Sequence, residues 1–169
     1  MKRSLSFLLA ISIMLTSCGQ TNTTKKTDIK SIKMIENNDT TKVEKTEAEW
    51  RNFLTPEQYT VLREKGTEAP FTGKLLLNKD KGTYTCAACG NELFTSDMKF
   101  DAHCGWPSFD KEIAGGKIKT KVDNTHGMIR TEIMCAKCGG HLGHLFDDGP
   151  TETGARYCVN SLSIDFKKQ

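Results

Sequence analysis

C-A-K-C-G-G-H-L-G-H-L-F-D-D-G-P-T-E-T-G-A-R-Y-C-V-N, residues 135–160, is the stretch that decides how the rest of this chain is read. It opens on a C-x-x-C-G knuckle at Cys135 and Cys138, passes two histidines and two aspartates, and closes on Cys158 between Arg156 and Asn160. From 156 onward the sequence alternates with the period of a strand: Arg156, Cys158, Asn160, Leu162, Ile164 and Phe166 fall on one face. That face is apolar at its far end and polar at its start, which predicts one strand running from a core into a polar cleft. A lone cysteine on a strand is ordinarily a small buried hydrophobe. Here Arg156 lies two residues away on the same face, and a neighbouring cation lowers a thiol's pKa and favours the nucleophilic thiolate. Arg156, Asn160 and the upstream histidines therefore favour a reactive Cys158.

The knuckle has a partner upstream, Cys86-Ala-Ala-Cys89-Gly90, which matches Cys135-Ala-Lys-Cys138-Gly139. Each trailing glycine suits the positive φ of a tight knuckle. Four thiolates suit a closed tetrahedral zinc site, which leaves no open position for catalysis. The 45 residues between the pairs exceed a compact zinc ribbon, so the site is expected to clip distant parts of one sheet assembly. Disulfides or a redox C-x-x-C pair are the competing readings in an exported chain. Two matched knuckles favour zinc.

The 169 residues suffice for one cored domain with tails. At the start, Lys2 and Arg3 precede an apolar run from Leu5 to Leu15, too short for a membrane-spanning helix, and Leu-Thr-Ser-Cys18 follows. This resembles the lipobox of a bacterial lipoprotein. It implies a signal peptide over 1–17, lipidation of Cys18, anchoring to a membrane and an extracytoplasmic location, facing the periplasm or the cell surface. Residues 18–45, rich in Thr, Lys, Asn and Asp, read as a flexible tether. Loss of 1–17 removes Lys2 and Arg3 from a formal charge of +3 and leaves +1, which argues against a nucleic-acid footprint.

The folded domain is expected over 46–169. Thr46 with Glu49, and Thr55 with Pro56 and Gln58, have the spacing of two capped helix starts. Tyr59 and Leu62 of the second helix share a core-facing side. Beyond Gly66 no helical period appears. β-type segments at 74–77, 82–85, 118–122, 128–134 and 156–166 predict a mainly β, antiparallel core.

Several motifs in order, Gly66-Thr67-Glu68, Pro70-Phe71-Thr72-Gly73, the two knuckles, Cys104-Gly105-Trp106-Pro107-Ser108-Phe109, His141-Leu142-Gly143-His144, Asp148-Gly149-Pro150 and Arg156-Tyr157-Cys158-Val159-Asn160, resemble the peptide-methionine (R)-S-oxide reductases, the B-type methionine sulfoxide reductases. The likeness covers about residues 47–166. His103 and Asp147 stand where the family often has Gly and Pro. The resemblance implies two antiparallel sheets leaning together, short N-terminal helices and one structural zinc. It implies that Cys158 attacks the sulfoxide sulfur of oxidised methionine in proteins and becomes a sulfenic acid. Cys104 is then expected to resolve it as a disulfide that a thioredoxin-like donor reduces. His144 is the expected proton donor, with His141 and Asn160 binding or orienting. Asp148 is expected to orient a histidine or hold a water. Trp106 is expected to wall the S-methyl pocket, and Phe109 to pack. The chain is expected to act as a monomer. A redox sensor using the same two thiols and a general thiol–disulfide oxidoreductase are the alternatives. Selectivity between sulfoxide epimers separates the enzyme from the sensor, and the 54 positions between the two cysteines, in place of one C-x-x-C, count against the general oxidoreductase.

Overall fold

A computed structural model describes residues 41–169. The expected signal peptide and lipidated Cys18 lie outside the described residues. Two helices open the domain, α1 (Glu47–Phe53) and α2 (Pro56–Leu62). Both carry the expected capping boxes: Thr46 accepts from the Glu49 N–H while the Glu49 side chain accepts from Thr46, and Thr55 and Gln58 repeat the exchange. These bonds satisfy donors that a helix start leaves unpaired. Trp50, Tyr59 and Leu62 are buried, as their spacing requires. No helix among the described residues is long and apolar enough to cross a membrane. Val43, within the segment read as tether, donates its N–H to the Lys137 carbonyl and packs against the core.

Nine strands follow: β1 (Gly82–Cys86), β2 (Glu92–Thr95), β3 (Lys99–Phe100), β4 (Ser108–Phe109), β5 (Ile118–Asp123), β6 (Arg130–Cys135), β7 (His141–Phe146), β8 (Arg156–Val159) and β9 (Ile164–Lys168). They form two antiparallel sheets, one ordered β2-β1-β9 and one ordered β3-β4-β8-β7-β6-β5. The fold is the mainly β arrangement expected from the sequence. Between the sheets lies an aromatic core in which Phe94 stacks on Phe109 at 4.1 Å and Tyr84 meets Phe109 edge-on at 5.0 Å. Phe109 is thus a packing residue.

Two expectations need correction. Residues 74–77 form turns, with Leu76 N–H bonded to the Gly73 carbonyl, and no strand. The single strand expected over 156–166 is two strands in two different sheets. A 3-10 turn at Ser161–Ser163 separates β8 from β9 because the buried Glu68 carboxylate accepts the N–H groups of Ser161 (2.6 Å) and Leu162 (3.0 Å). Those two donors are thereby withdrawn from any ladder, and the chain leaves the large sheet for the small one. The apolar alternation at 162–166 belongs to the second strand's own packing.

Register then decides which side chains meet. Paired residues on adjacent antiparallel strands share a face, as do residues two apart on one strand. The ladder Lys121–Glu132–His144–Cys158–Ser108 and the pairs Asp123–Arg130 and Phe146–Arg156, each two residues along from it, therefore lie on one face of the large sheet. The pairing of β6 and β7 slips between Ile133 and Met134. His141 and His144, three apart, would otherwise point to opposite faces. The irregularity brings their rings to the same side, 5.5 Å between centroids.

Candidate active site and four-thiol centre

Cys86 ends β1 and Cys135 ends β6, and each is followed by its knuckle partner, Cys89 or Cys138. In each knuckle the trailing glycine, Gly90 or Gly139, turns at positive φ and donates its N–H back to the first cysteine's carbonyl. The four sulfurs lie within 4.8 Å of one another, with Cys86 Sγ 3.7 Å from Cys138 Sγ and Cys89 Sγ 3.6 Å from Cys135 Sγ. Metal–sulfur bonds of about 2.3 Å in a tetrahedron require sulfurs about 3.8 Å apart, so the donor set fits one metal ion. Hydrogen bonds from Cys138, then Cys86 and Cys89, hold the Cys135 thiol far below its usual range, while Cys138 is pushed up chiefly by Cys135. A cation relieves that crowding of charge. Because β1 and β6 belong to different sheets, the centre joins the two.

The second cluster lies on the large sheet, around a cavity of about 100 Å³ lined by Trp106, His144, Phe146, Cys158, Asn160 and Arg130 among others. β7 and β8 place His144 directly opposite Cys158. Close approach of these strands requires Gly143: a Cβ there would stand 2.0 Å from the Cys158 carbonyl oxygen. Half-buried Trp106 is fixed at the cavity wall by its indole N–H, which donates to the Glu68 carbonyl at 3.1 Å. Cys104 Sγ lies 3.8 Å from Cys158 Sγ and 3.5 Å from the Ser108 hydroxyl. The loop that delivers it turns at positive φ at His103 and Gly105, and Gly105 packs so closely on Pro70 that a Cβ would meet it at 2.7 Å.

Electrostatics divide the two thiols. Burial, then the adjacent Cys104, pushes the Cys158 thiol up to about 12 against the opposing pull of Arg156. Burial also pushes Cys104 up, but hydrogen bonds with Ser108, the Trp106 backbone and Cys158, with Arg156 nearby, outweigh it and hold Cys104 below its ordinary value. Burial therefore outweighs the guanidinium, which corrects the expectation that Arg156 makes the resting Cys158 the more acidic thiol: Arg156 opposes the rise of Cys158 without reversing it, and Cys104 is the sulfur held below its ordinary value.

The structure brings Cys158, Cys104, His144, Trp106 and Asn160 together, with Arg156 on the same sheet face. Both polar atoms of the Asn160 side chain are committed to backbone: Oδ1 accepts from Glu68 N–H at 3.1 Å and Nδ2 donates to the Leu142 carbonyl at 3.1 Å. Asp148 neither orients a histidine nor stands in the cavity wall. It grips Arg156 through two bonds of 2.7 and 2.9 Å, and the guanidinium rests over the Phe146 ring. The physical reason is that a bidentate guanidinium–carboxylate pair satisfies both oxygens at once. His141 lines a neighbouring cavity of about 350 Å³, and its Nδ1 is bonded to Glu132 at 2.9 Å.

Sequence reasoning missed Asp123, Arg130 and Glu132, and it placed Glu68 in a motif without assigning it a role. Asp123 accepts from His144 Nε2 (2.8 Å) and Arg130 (2.7 Å), and Glu132 accepts from Lys65 (2.7 Å). The signal for two of them was available: Arg130-Thr-Glu132 puts opposite charges at alternate positions of a strand that is otherwise half apolar. Glu68 stands in the Gly66-Thr67-Glu68 motif, but nothing local to that motif indicates that it straps Asn160, Ser161 and Trp106 from a loop.

Two thiols within reach of one another, beside a small cavity that also holds an imidazole, make this a thiol-dependent oxidoreductase fold with a separate structural thiol centre. The SelR domain matches residues 54–168. The chain is 58% identical over 127 residues to the peptide methionine sulfoxide reductase MsrB of Methanosarcina barkeri, covering 75% of this chain and 89% of that relative. It is 57% identical over 127 residues to the enzyme of the same name from Leptospira interrogans, covering 75% and 97%, and 56% identical over 135 residues to that of Variovorax paradoxus, covering 77% and 99%. The chain belongs to the SelR family, the B-type peptide methionine sulfoxide reductases.

Proposed function

We propose that this chain reduces the R epimer of methionine sulfoxide in proteins, with Cys158 as nucleophile and Cys104 as resolving thiol. The observation that carries the reading is the Cys104–Cys158 sulfur pair, 3.8 Å apart, at a cavity that Cys158 lines together with His144 and Trp106. The Cys158 thiolate attacks the sulfoxide sulfur and takes the oxygen as a sulfenic acid, while His144 supplies the proton that the oxygen requires. Methionine leaves reduced. The Cys104 thiol then attacks the sulfenic sulfur, a disulfide forms and water departs. A thioredoxin-like dithiol reduces the disulfide by exchange and is itself oxidised. Trp106 offers the apolar wall that one methyl group needs, and Arg156, held by Asp148, favours negative charge on the sulfur pair.

Zinc is the metal we assign to Cys86, Cys89, Cys135 and Cys138, since four thiolates at tetrahedral spacing suit it. Its role there is to join the sheets. Residues 1–17 are read as a signal peptide, Cys18 as the lipidated residue and 18–45 as the tether, so that the domain over 46–169 works as a monomer outside the cytoplasm.

The test is chiral separation of a methionine sulfoxide peptide after incubation with the protein and a dithiol. Loss of the R form with retention of the S form is expected, abolished by Cys158→Ser. Cys104→Ser is expected to complete about one turnover and then hold the sulfenic acid. Equal consumption of both epimers, or full donor-coupled cycling without Cys104, contradicts the proposal.

A further inference from the structure

We infer that Asp123 is a positioning residue for this reaction: it holds His144 by Nε2, so that the imidazole presents Nδ1 to the reacting atoms and gives up its proton from that nitrogen. The inference rests on the reading of His144 as the proton donor.

The carboxylate of Asp123 is fully engaged. Its Oδ1 accepts from the Thr125 N–H at 2.9 Å and the Thr125 hydroxyl at 2.6 Å, which closes the turn after β5. Its Oδ2 accepts from Arg130 at 2.7 Å and from His144 Nε2 at 2.8 Å. Side chains of Asp123 and His144 are only 12% and 11% exposed, so this arrangement is shielded from competing water. A carboxylate with four donors around it is ionised and accepts only. The Thr125 hydroxyl first, then the Thr125 N–H and His144, hold it well below the usual carboxylate range. His144 Nε2 must therefore carry hydrogen. In the neutral ring that leaves Nδ1 as the lone-pair nitrogen, and in the imidazolium it leaves Nδ1–H as the proton without a protein acceptor. Nδ1 makes no hydrogen bond with a described residue.

The neighbouring histidine supplies the contrast. Glu132 takes His141 by Nδ1, and the remaining His141 Nε2 is buried with no partner among the described residues. Each imidazole has its own carboxylate, and each carboxylate its own cation, Arg130 for Asp123 and Lys65 for Glu132. Yet opposite ring nitrogens are held. Only His144 stands opposite Cys158 on the adjacent strand and lines the same cavity. Which nitrogen is engaged decides which one can act. When the sulfoxide oxygen takes the Nδ1 proton, the ring returns to the neutral Nε2–H form that Asp123 already binds. Asp123 gains no proton, and Arg130, on the same oxygen, keeps it from doing so. His144 is recharged from solvent.

The test uses the full-length chain with ¹⁵N-labelled histidine. The wild-type His144 is expected to show the Nε2–H neutral tautomer, and observation of the Nδ1–H tautomer overturns the inference without any variant. Asp123→Asn lets an amide N–H face the ring and is expected to shift His144 toward Nδ1–H. The rate of R-sulfoxide consumption in a single turnover should fall on the order of tenfold to a thousandfold, with KM little changed. Asp123→Glu should recover part of both. An Asp123→Asn protein that keeps the Nε2–H tautomer and its rate within about twofold refutes the positioning role, as does a loss confined to KM and stability. If His144→Asn leaves the rate unchanged, the proton-donor reading fails instead, and the tautomer measurement still reports on Asp123.

Discussion

Replacing Cys104 with serine is expected to lower the pH at which Cys158 becomes a thiolate. In the resting pair Cys158 is pushed up to about 12, by burial first and by Cys104 second. Serine keeps the burial and cannot carry the charge. A unit charge 3.8 Å away is worth up to about 4 kcal/mol at an effective dielectric of about 20, or about three tenfold steps in acidity. Because burial is the larger contribution, the expected fall is on the order of one to two pH units. Arg156 then acts on a single thiol. The measurement is the rate of iodoacetamide labelling at Cys158, followed by mass spectrometry of its peptide from about pH 6 to 11, since only the thiolate reacts. In the wild type, Cys104 should label at lower pH than Cys158. In Cys104→Ser, the Cys158 midpoint should move down. An unmoved or higher midpoint would mean that the two sulfurs do not share a titration, and the electrostatic account of the pair would be wrong.

Gly143→Ala should destabilise the domain by about 2–5 kcal/mol in denaturant unfolding, because the new Cβ meets the Cys158 backbone oxygen and the φ of +154° is costly with a side chain. A stable, fully active Gly143→Ala protein would contradict the close approach of β7 and β8. Metal analysis of the purified protein should give about one zinc per chain, and Cys86→Ser should lower the thermal midpoint by roughly 10 °C or more. A metal-free wild-type protein with unchanged thermal unfolding would remove the sheet-joining role of the four thiols.

The features legible in the sequence share one property: they act over short sequence distances. Thr46–Glu49 and Thr55–Gln58 cap their helices through bonds between residues three apart. Each C-x-x-C-G knuckle closes on its own carbonyl. The strands at 82–85, 118–122 and 128–134 carry enough alternation to be seen, whereas β3 and β4 have two residues each and no period to detect. The segment at 156–166 alternates throughout, yet Glu68, more than ninety positions away, breaks it. A long-range acceptor can capture backbone donors that a local pattern assigns to a ladder.

The sequence by itself determined the chemistry on offer: a β domain with short capped helices, four metal-type thiols, the separate cysteines Cys104 and Cys158, the closely spaced His141 and His144 and a motif order that belongs to one reductase family. Tertiary structure alone decided the pairings. It set Asp148 on Arg156, gave His144 and His141 different carboxylates through different nitrogens, and seated Cys104 3.8 Å from Cys158. These outcomes depend on strand register and on a slip between β6 and β7. A one-residue change of register exchanges the faces of a strand, so side-chain type is written locally while its partner is settled only when the sheets close.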